Sequence, residues 1–308
     1  MGGHLRFGLF GTGPWAHLAH APSLAGHPGV EFVGVWGRNP DKAAELAGRF
    51  GTKPYPDVDA LIADVDAVAI ALPPDVQAPI ALRAATAGRH LLLDKPVAFT
   101  TAAAEEVAAA VEERDLASVV FFTRRLLPEI AEFIAETVAA GGWLEARIDQ
   151  VGSIFQPGNP FGASPWRRES GGLWDVGPHA LALVLPILGP VTEVAAIAGP
   201  RDMTHVLARH AGGAISTLTL SLDAPAGAGR EEATFAGEAG VRVVPSAPWE
   251  PIPALARAID QLIAAAAGGP KPELDVRFGA EVTAILVAVQ EAVRSGRTVE
   301  VPATGSAG

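Results

Sequence analysis

"RFGLFGTGPWAHLAHAP", residues 6–22, runs from an apolar stretch through two glycines into an alanine-rich one. Gly11, Gly13 and Ala16 stand in G-x-G-x-x-A spacing. In that spacing the first glycine permits a tight turn and the second lets the backbone approach a pyrophosphate. A small third residue allows the helix to pack closely on the sheet. Pro14 suits a first helical turn, where its missing N–H is not needed, and Trp15 shares that turn. The helix start then offers unpaired N–H groups and a positive dipole end to phosphates. Glycine turns between strand and helix are common, so the motif means dinucleotide binding only in the right context.

The first 120 residues supply that context. Apolar runs at 5–10, 31–36, 67–72, 90–93 and 118–122 alternate with Ala-rich helical stretches at 14–25, 40–50, 75–87 and 101–114. Continuous apolar strands separated by helices predict a parallel sheet covered on both faces. Right-handed crossovers make it a doubly wound α/β, Rossmann-type domain. After residue 125 the rhythm changes. A helix at 128–140 leads to "LEARIDQVGSIF", a Pro/Gly-rich loop at 157–172 and a further helix. Strand-like runs follow at 191–198, 203–210, 214–222, 231–236 and 240–244, and helical patterns at 251–267 and 276–294 close the chain. Short turns between successive strands predict a large, mostly antiparallel sheet in an α+β domain. The expected division is a dinucleotide-binding domain at 1–122 and a substrate-binding and oligomerisation domain at 123–308.

With 308 residues, 49% hydrophobic and 19% charged, the chain can build a substantial core. A formal charge of -11 argues against a nucleic-acid surface, which needs clustered Lys and Arg. Absent cysteine removes disulfides, thiolate catalysis and Cys-type zinc sites. "ALALVLPILGPVTEVAAIAG", 180–199, is interrupted by Pro186, Gly189, Pro190, Thr192 and Glu193, so it reads as buried helix, turn and strand rather than a membrane span. The N-terminus shows no basic-then-apolar leader, and a cytoplasmic location is expected.

The end of the second strand discriminates between nicotinamide cofactors, because an acid there binds the ribose 2′-hydroxyl and an arginine accommodates a 2′-phosphate. "FVGVWGRNPDKA" puts Gly37 and Arg38 at that place, which points to NADP, with NAD possible if Arg38 only stacks on adenine. Leu72 and Pro73, in the turn after the 67–72 run, join the expected cofactor contacts. "GRHLLLDKPVAFT" sets Asp94-Lys95-Pro96 at the C-terminal end of the fifth strand, the edge beyond which open α/β sheets bind ligands. Lys95 is therefore expected near the nicotinamide.

These stretches together resemble the glucose–fructose oxidoreductase/inositol dehydrogenase (Gfo/Idh/MocA) family. The resemblance takes in "GTGPWAHLAHAP", "DAVAIALPP", "AGRHLLLDKPVA" for the family's E/D-K-P, and "VVFFTRRLLP" for its N/T-R-R segment. It continues through "PWRRESGGLWDVGPH", which fits W-R…G-G-x-x-x-D-x-G-x-H, to "AVRSGRTVEV". It implies that Lys95, Asp175 and His179 meet across an interdomain cleft. The residues agree with this: positions four apart share a helical face, and Gly171-Gly172 lets backbone pass close to a ligand. A helix beginning near Asp175 would tolerate Pro178 in its first turn. The plainer alternative makes Asp175 a cap and His179 a core histidine.

The expected chemistry is hydride transfer between a C–OH or C=O carbon and nicotinamide C4. His179 acts as general base or acid, since imidazole ordinarily titrates at about 6.5. Lys95 hydrogen-bonds the reacting oxygen, and Asp175 orients His179 or holds a neighbouring hydroxyl. Two departures weaken the case for a polyhydroxylated substrate: "HALALVL" is wholly apolar, and Gln77 replaces a frequent family histidine. In "QPGNPFGASPWRR", Phe161, Trp166, Arg167 and Arg168 either contact substrate or pack the loop. Arg124 and Arg125 are phosphate ligands, or paired surface or domain-bridging arginines. His17, His20, His27, His205 and His210 show no metal-ligand spacing, and no metal is expected.

The expected activity is an NAD(P)-dependent dehydrogenase or reductase acting on a small sugar, polyol or dihydrodiol. The alternatives are an inactive dinucleotide-binding scaffold and a C=C or tetrapyrrole reductase. A homo-oligomer, dimer or tetramer, is expected because an open sheet face needs a cover.

Overall fold

A computed structural model describes residues 4–302. Six parallel strands form the first sheet: β1 (Leu5–Phe10), β2 (Val30–Trp36), β3 (Lys53–Pro54), β4 (Ala67–Ile70), β5 (His90–Asp94) and β6 (Ser118–Phe121). Their order is β3-β2-β1-β4-β5-β6, the doubly wound arrangement whose ligand crevice opens where the order reverses beside β1. All four residues of β4 and of β6 are buried, as strands covered on both faces must be. Helices α2 (Pro40–Arg49), α4 (Pro74–Thr86) and α5 (Thr101–Glu113) fall on the expected segments. β3 and the short α3 (Val58–Ala63) were not expected: two and six residues leave no periodicity to read. The helix following β1 contains a π-helical turn, Ala16–His20, before α1 (Ala21–Gly26). Ala21 N–H bonds to Ala16 O five residues back, and Pro22 has no N–H to lose.

The remaining elements are α6 (Pro128–Ala140), β7 (Trp143–Val151), α7 (Pro165–Asp175), α8 (Gly177–Leu188), β8 (Val191–Ala198), β9 (Thr204–His210), β10 (Ile215–Ser221), β11 (Arg230–Gly237), β12 (Gly240–Val243), α9 (Pro251–Ala266), α10 (Val276–Ser295) and β13 (Val299–Glu300). The second sheet runs β12-β11-β7-β10-β9-β8-β13, with β7 and β10 parallel and the other pairs antiparallel. Helices α7 and α8 pack against it, α7 on β10 and α8 on β7 and β10. Pairing register sets Ala195, Leu207, Thr217, Arg147, Thr234 and Val243 side by side on the other face. Ile197 (75% exposed), Val241 (70%), Val243 (65%) and Leu207 (49%) stand open there. The 180–199 stretch resolves into α8, a turn at Gly189-Pro190 and β8. Pro165–Leu188 is long and apolar enough by composition to cross a membrane, but 78% of its apolar window is buried inside the protein.

Two differences from expectation are structural. The 157–172 loop ends early, because α7 begins at Pro165, a residue suited to a first turn, and is kinked at Gly171 (φ +66). The boundary expected at 122/123 is also not where the chain divides. The compact units are Met1–Leu126 with Trp249–Ala280, and Leu127–Pro248 with Glu281–Gly308. Residues 249–280 return to the first unit because α9 carries a fully buried stripe, Leu255, Ala258, Ile259 and Leu262, against β5, β6 and the π-helical turn.

Candidate active site

In the first unit, the turn after β1 is fixed by Gly11 N–H to Trp36 O (2.8 Å) and Ala71 N–H to Phe10 O (2.8 Å). Gly11 has φ +131, and a Cβ there would lie 2.4 Å from Ala71 O, so no other residue fits. Gly13 is exposed, and a Cβ on it would meet nothing within 4 Å. The protein itself does not require glycine at 13; a ligand approaching the backbone would. Pro14 is exposed and Ala16 fully buried. These residues fit a pyrophosphate at the start of the helix.

At the end of β2, Gly37 is buried, and a Cβ there would come within 2.6 Å of Thr12 Cγ2. The glycine turn therefore dictates that residue, while Arg38 beside it is exposed. Leu72 and Pro73 are half-buried after β4, with Pro73 capping α4.

Lys95, half-buried, follows β5, and its peptide bond to Pro96 is cis. Both neighbouring elements grip this segment. Trp15 Nε1–H donates to Asp94 Oδ1 (3.1 Å), and the buried His20 imidazole lies 3.6 Å from Asp94 Oδ2. Trp15 also stacks on Phe121 and tilts against Trp249, with ring centroids 6.1 and 5.8 Å apart. Gln77 is wholly buried. Its Oε1 accepts from Asp94 N–H (2.9 Å), and its Nε2 donates to the carbonyls of Asp94 (2.7 Å), Pro96 (3.1 Å) and Val97 (3.3 Å). Gln77 had counted as a polar group lost from the site. The polar group is present and is spent on the main chain around the lysine.

In the second unit, Asp175 closes α7 rather than opening a helix, and His179 is the third residue of α8. Val176 between them keeps near-helical dihedrals (φ −101, ψ −22), so the four-residue spacing follows one nearly continuous helical path, with Pro178 in the first turn of α8. His179 is half-buried and Asp175 buried. Arg167 Nε donates to Asp175 Oδ2 at 3.1 Å. Its guanidinium sits 5.2 Å from the Phe161 ring centroid and 4.6 Å from that of Trp166. Three residues expected as substrate contacts are thus brought together, the two rings against the Arg167 guanidinium that bonds Asp175. Arg168 lies instead over Phe155, 4.5 Å away.

The glycine pair has its own anchor. A Cβ on Gly172 would fall 2.5 Å from Ser221 Cα, so the backbone here rests on β10. Asp202 carboxylate oxygens accept from Gly172 N–H (2.9 Å), Ser221 Oγ–H (2.5 Å), Leu222 N–H (3.1 and 3.0 Å) and Asp223 N–H (3.2 Å). Sequence reasoning missed Asp202, Trp249 and the main-chain bonds of Gln77, and it assigned His20 no chemistry. Only Gln77 carried a signal, as a polar residue at an otherwise apolar helix position.

Arg125 is partnered by Glu273 (3.2 Å) and lies over Phe278, both within the first unit. Burial lowers the pKa of Arg125 and of Arg124 below the usual arginine value. Among the described residues, no three His, Asp or Glu gather as a metal-ligand group.

The profile of the oxidoreductase family with an NAD-binding Rossmann fold matches residues 5–122, and that of the GFO/IDH/MocA C-terminal domain matches 144–242. A dTDP-3,4-didehydro-2,6-dideoxy-alpha-D-glucose 3-reductase from Streptomyces antibioticus is 30% identical over 77% of this chain and 74% of its own. A 4-carboxy-2-hydroxymuconate-6-semialdehyde dehydrogenase from Sphingobium sp. is also 30% identical, over 72% and 74%. The crystal structure of GenD2 from gentamicin A biosynthesis, in complex with NAD, superposes with a TM-score of 0.86 at 23% identity, covering 98% of each chain.

Proposed function

The chain belongs to the GFO/IDH/MocA oxidoreductase family, and we propose on that premise that it oxidises a C–OH carbon, or reduces the C=O, of a small sugar, polyol or dihydrodiol-type substrate. It is an NAD(P)-dependent oxidoreductase. A bound nicotinamide dinucleotide supplies or accepts the hydride, and this chain's residues do the rest. His179 takes the hydroxyl proton in oxidation and returns it in reduction. Lys95 donates a hydrogen bond to the same oxygen and stabilises its developing negative charge. Asp175, paired with Arg167, fixes the helical path that presents His179. Gly13 and Pro14 face the phosphates, while Gly11 makes the tight turn and Ala16 lets the helix pack on the sheet. NADP is the preferred form, since Arg38 is exposed at the end of β2 with no carboxylate in place of Gly37 to repel a 2′-phosphate.

The observation that carries this reading is the 3.1 Å bond from Trp15 Nε1 to Asp94. It ties the helix of the glycine turn to the residue preceding Lys95, at the same carboxyl edge of the sheet. We propose further that the open face of the second sheet pairs with a second copy of the chain, because four large apolar side chains stand exposed on it. The test is NADPH oxidation against a panel of keto-sugars, ketones and aldehydes, and NADP+ reduction with the corresponding polyols. Turnover is expected with at least one pair, falling at least a hundredfold in Lys95→Ala and in His179→Ala. Variants as active as the unsubstituted enzyme would remove both residues from the chemistry.

A further inference from the structure

Gln77 sits in the first turn of α4 with no surface exposed. A buried amide is costly unless both its ends are satisfied. Here they are, and all four partners are main-chain atoms of residues 94–97: one N–H and three carbonyls. Only one orientation of the amide fits, because Asp94 N–H needs an oxygen and the carbonyls need the NH2 group. An aliphatic side chain of equal volume would fill the space without selecting a conformation. The partners lie on both sides of Lys95 and include neither its N–H nor its carbonyl. On the preceding side, the Asp94 carboxylate is also held by Trp15 and faces His20. The stem from which Lys95 projects is thus fixed at both ends by one amide.

We propose that Gln77 is a positioning residue for Lys95: its carboxamide clamps the main chain of residues 94–97 so that the ammonium group is held at the reacting oxygen. The inference rests on the role given to Lys95 above, and its test separates the two. Misplacing a catalytic group by about 1 Å costs on the order of a hundredfold in rate. Gln77→Met keeps the volume and removes all four bonds. Gln77→Glu, when protonated, keeps the acceptor for Asp94 N–H and one O–H donor for the carbonyls.

The chain has four lysines, Lys42, Lys53, Lys95 and Lys271, and the other three are exposed, so they serve as internal standards. Acetylation by N-hydroxysuccinimidyl acetate, followed by peptide mass spectrometry, reads the freedom of Lys95 without any substrate. In Gln77→Met, Lys95 acetylation is expected to rise at least threefold relative to the other three lysines. NADPH binding should stay within about threefold. On the substrate that the panel identifies, kcat should fall at least tenfold with KM nearly unchanged, and Gln77→Glu at pH 6 should recover part of the loss. If Gln77→Met does not fold, Gln77→Glu takes the same measurements between pH 6 and pH 9, with acetylation and kcat diverging from the unsubstituted enzyme as the carboxyl ionises. An unchanged acetylation ratio, or an undiminished kcat, in the folded variant overturns the proposal. A loosened Lys95 in Gln77→Met beside a fully active Lys95→Ala would leave the clamp standing and refute the catalytic assignment instead.

Discussion

His210 is buried between Gly189 O, 2.7 Å from Nδ1, and Ser216 Oγ, 2.9 Å from Nε2. Burial pushes its pKa below the ordinary imidazole value, and the Gly189 carbonyl offsets this only in part. His90, which accepts from Ala117 N–H, is pushed the same way by burial. Both stay neutral in the folded chain where the unfolded chain already takes up protons. Their contribution to stability is therefore complete above pH ~6.5 and declines as pH falls, by at most about 1.4 kcal/mol per pH unit for each histidine. His210→Asn should melt lower than the unsubstituted protein at pH 7.5 and lose less melting temperature between pH 7.5 and 5.5. Parallel curves would show that His210 does not titrate in this way. Arg38 supports a second prediction. If it meets a 2′-phosphate, Arg38→Ala should weaken NADPH binding at least tenfold by fluorescence titration while NADH binding changes less than twofold. Equal losses for both cofactors would mean that the side chain only stacks on adenine.

The β8–β9 hairpin turns through Arg201 and Asp202, both with positive φ (+56 and +57). Two consecutive left-handed residues match a type I′ turn, usually written with Asn and Gly. The Arg-Asp pair gives no such signal, and so the anchor for Gly171-Gly172 stayed hidden in the sequence. Asp202→Ala strips the acceptor from Gly172, Leu222 and Asp223 N–H groups and from Ser221. Since bonds to a charged group contribute roughly 1.5–3 kcal/mol each and do not add, a loss of about 3 kcal/mol in denaturant unfolding is expected. An Asp202→Ala protein as stable as the parent would mean that β10 alone seats the glycine pair. The longer elements were legible because period-2 and period-3.6 patterns run their full length, as in β9 and α9. What escaped lacked a pattern: β3 is two residues long, and the π turn depends on a hydrogen-bond shift that no composition reveals. The places of Asp94-Lys95-Pro96 at the end of β5 and of the glycine turn after β1 were legible. The partners of Asp175 and the work of Gln77 were not, because Arg167 and Gln77 find their places only once helix and loop are folded.

At the scale of the whole molecule, Leu207 and Val243 lie in one pairing row of the open sheet face, with Ile197 and Val241 in adjoining rows. Placing charges there opposes any copy seated on it. Leu207→Lys with Val243→Lys should halve the solution mass, or reduce it further, by light scattering while leaving the melting temperature within a few degrees. A parent that is already monomeric would refute self-association through this face. The apolar stretch 180–199 shows how composition alone can mislead at this scale, since its hydropathy reflects helix α8 at the core of its unit.

Because α9 completes the nucleotide-side unit from residues 251–266, a ribosome must pass the whole of β7 to β12 before that unit has all its parts. Until then, the surfaces of β5, β6 and the π turn that await Leu255, Ile259 and Leu262 are bare to solvent and to chaperones. A fragment ending at Leu126 would carry the whole glycine signature and still be an unfinished protein.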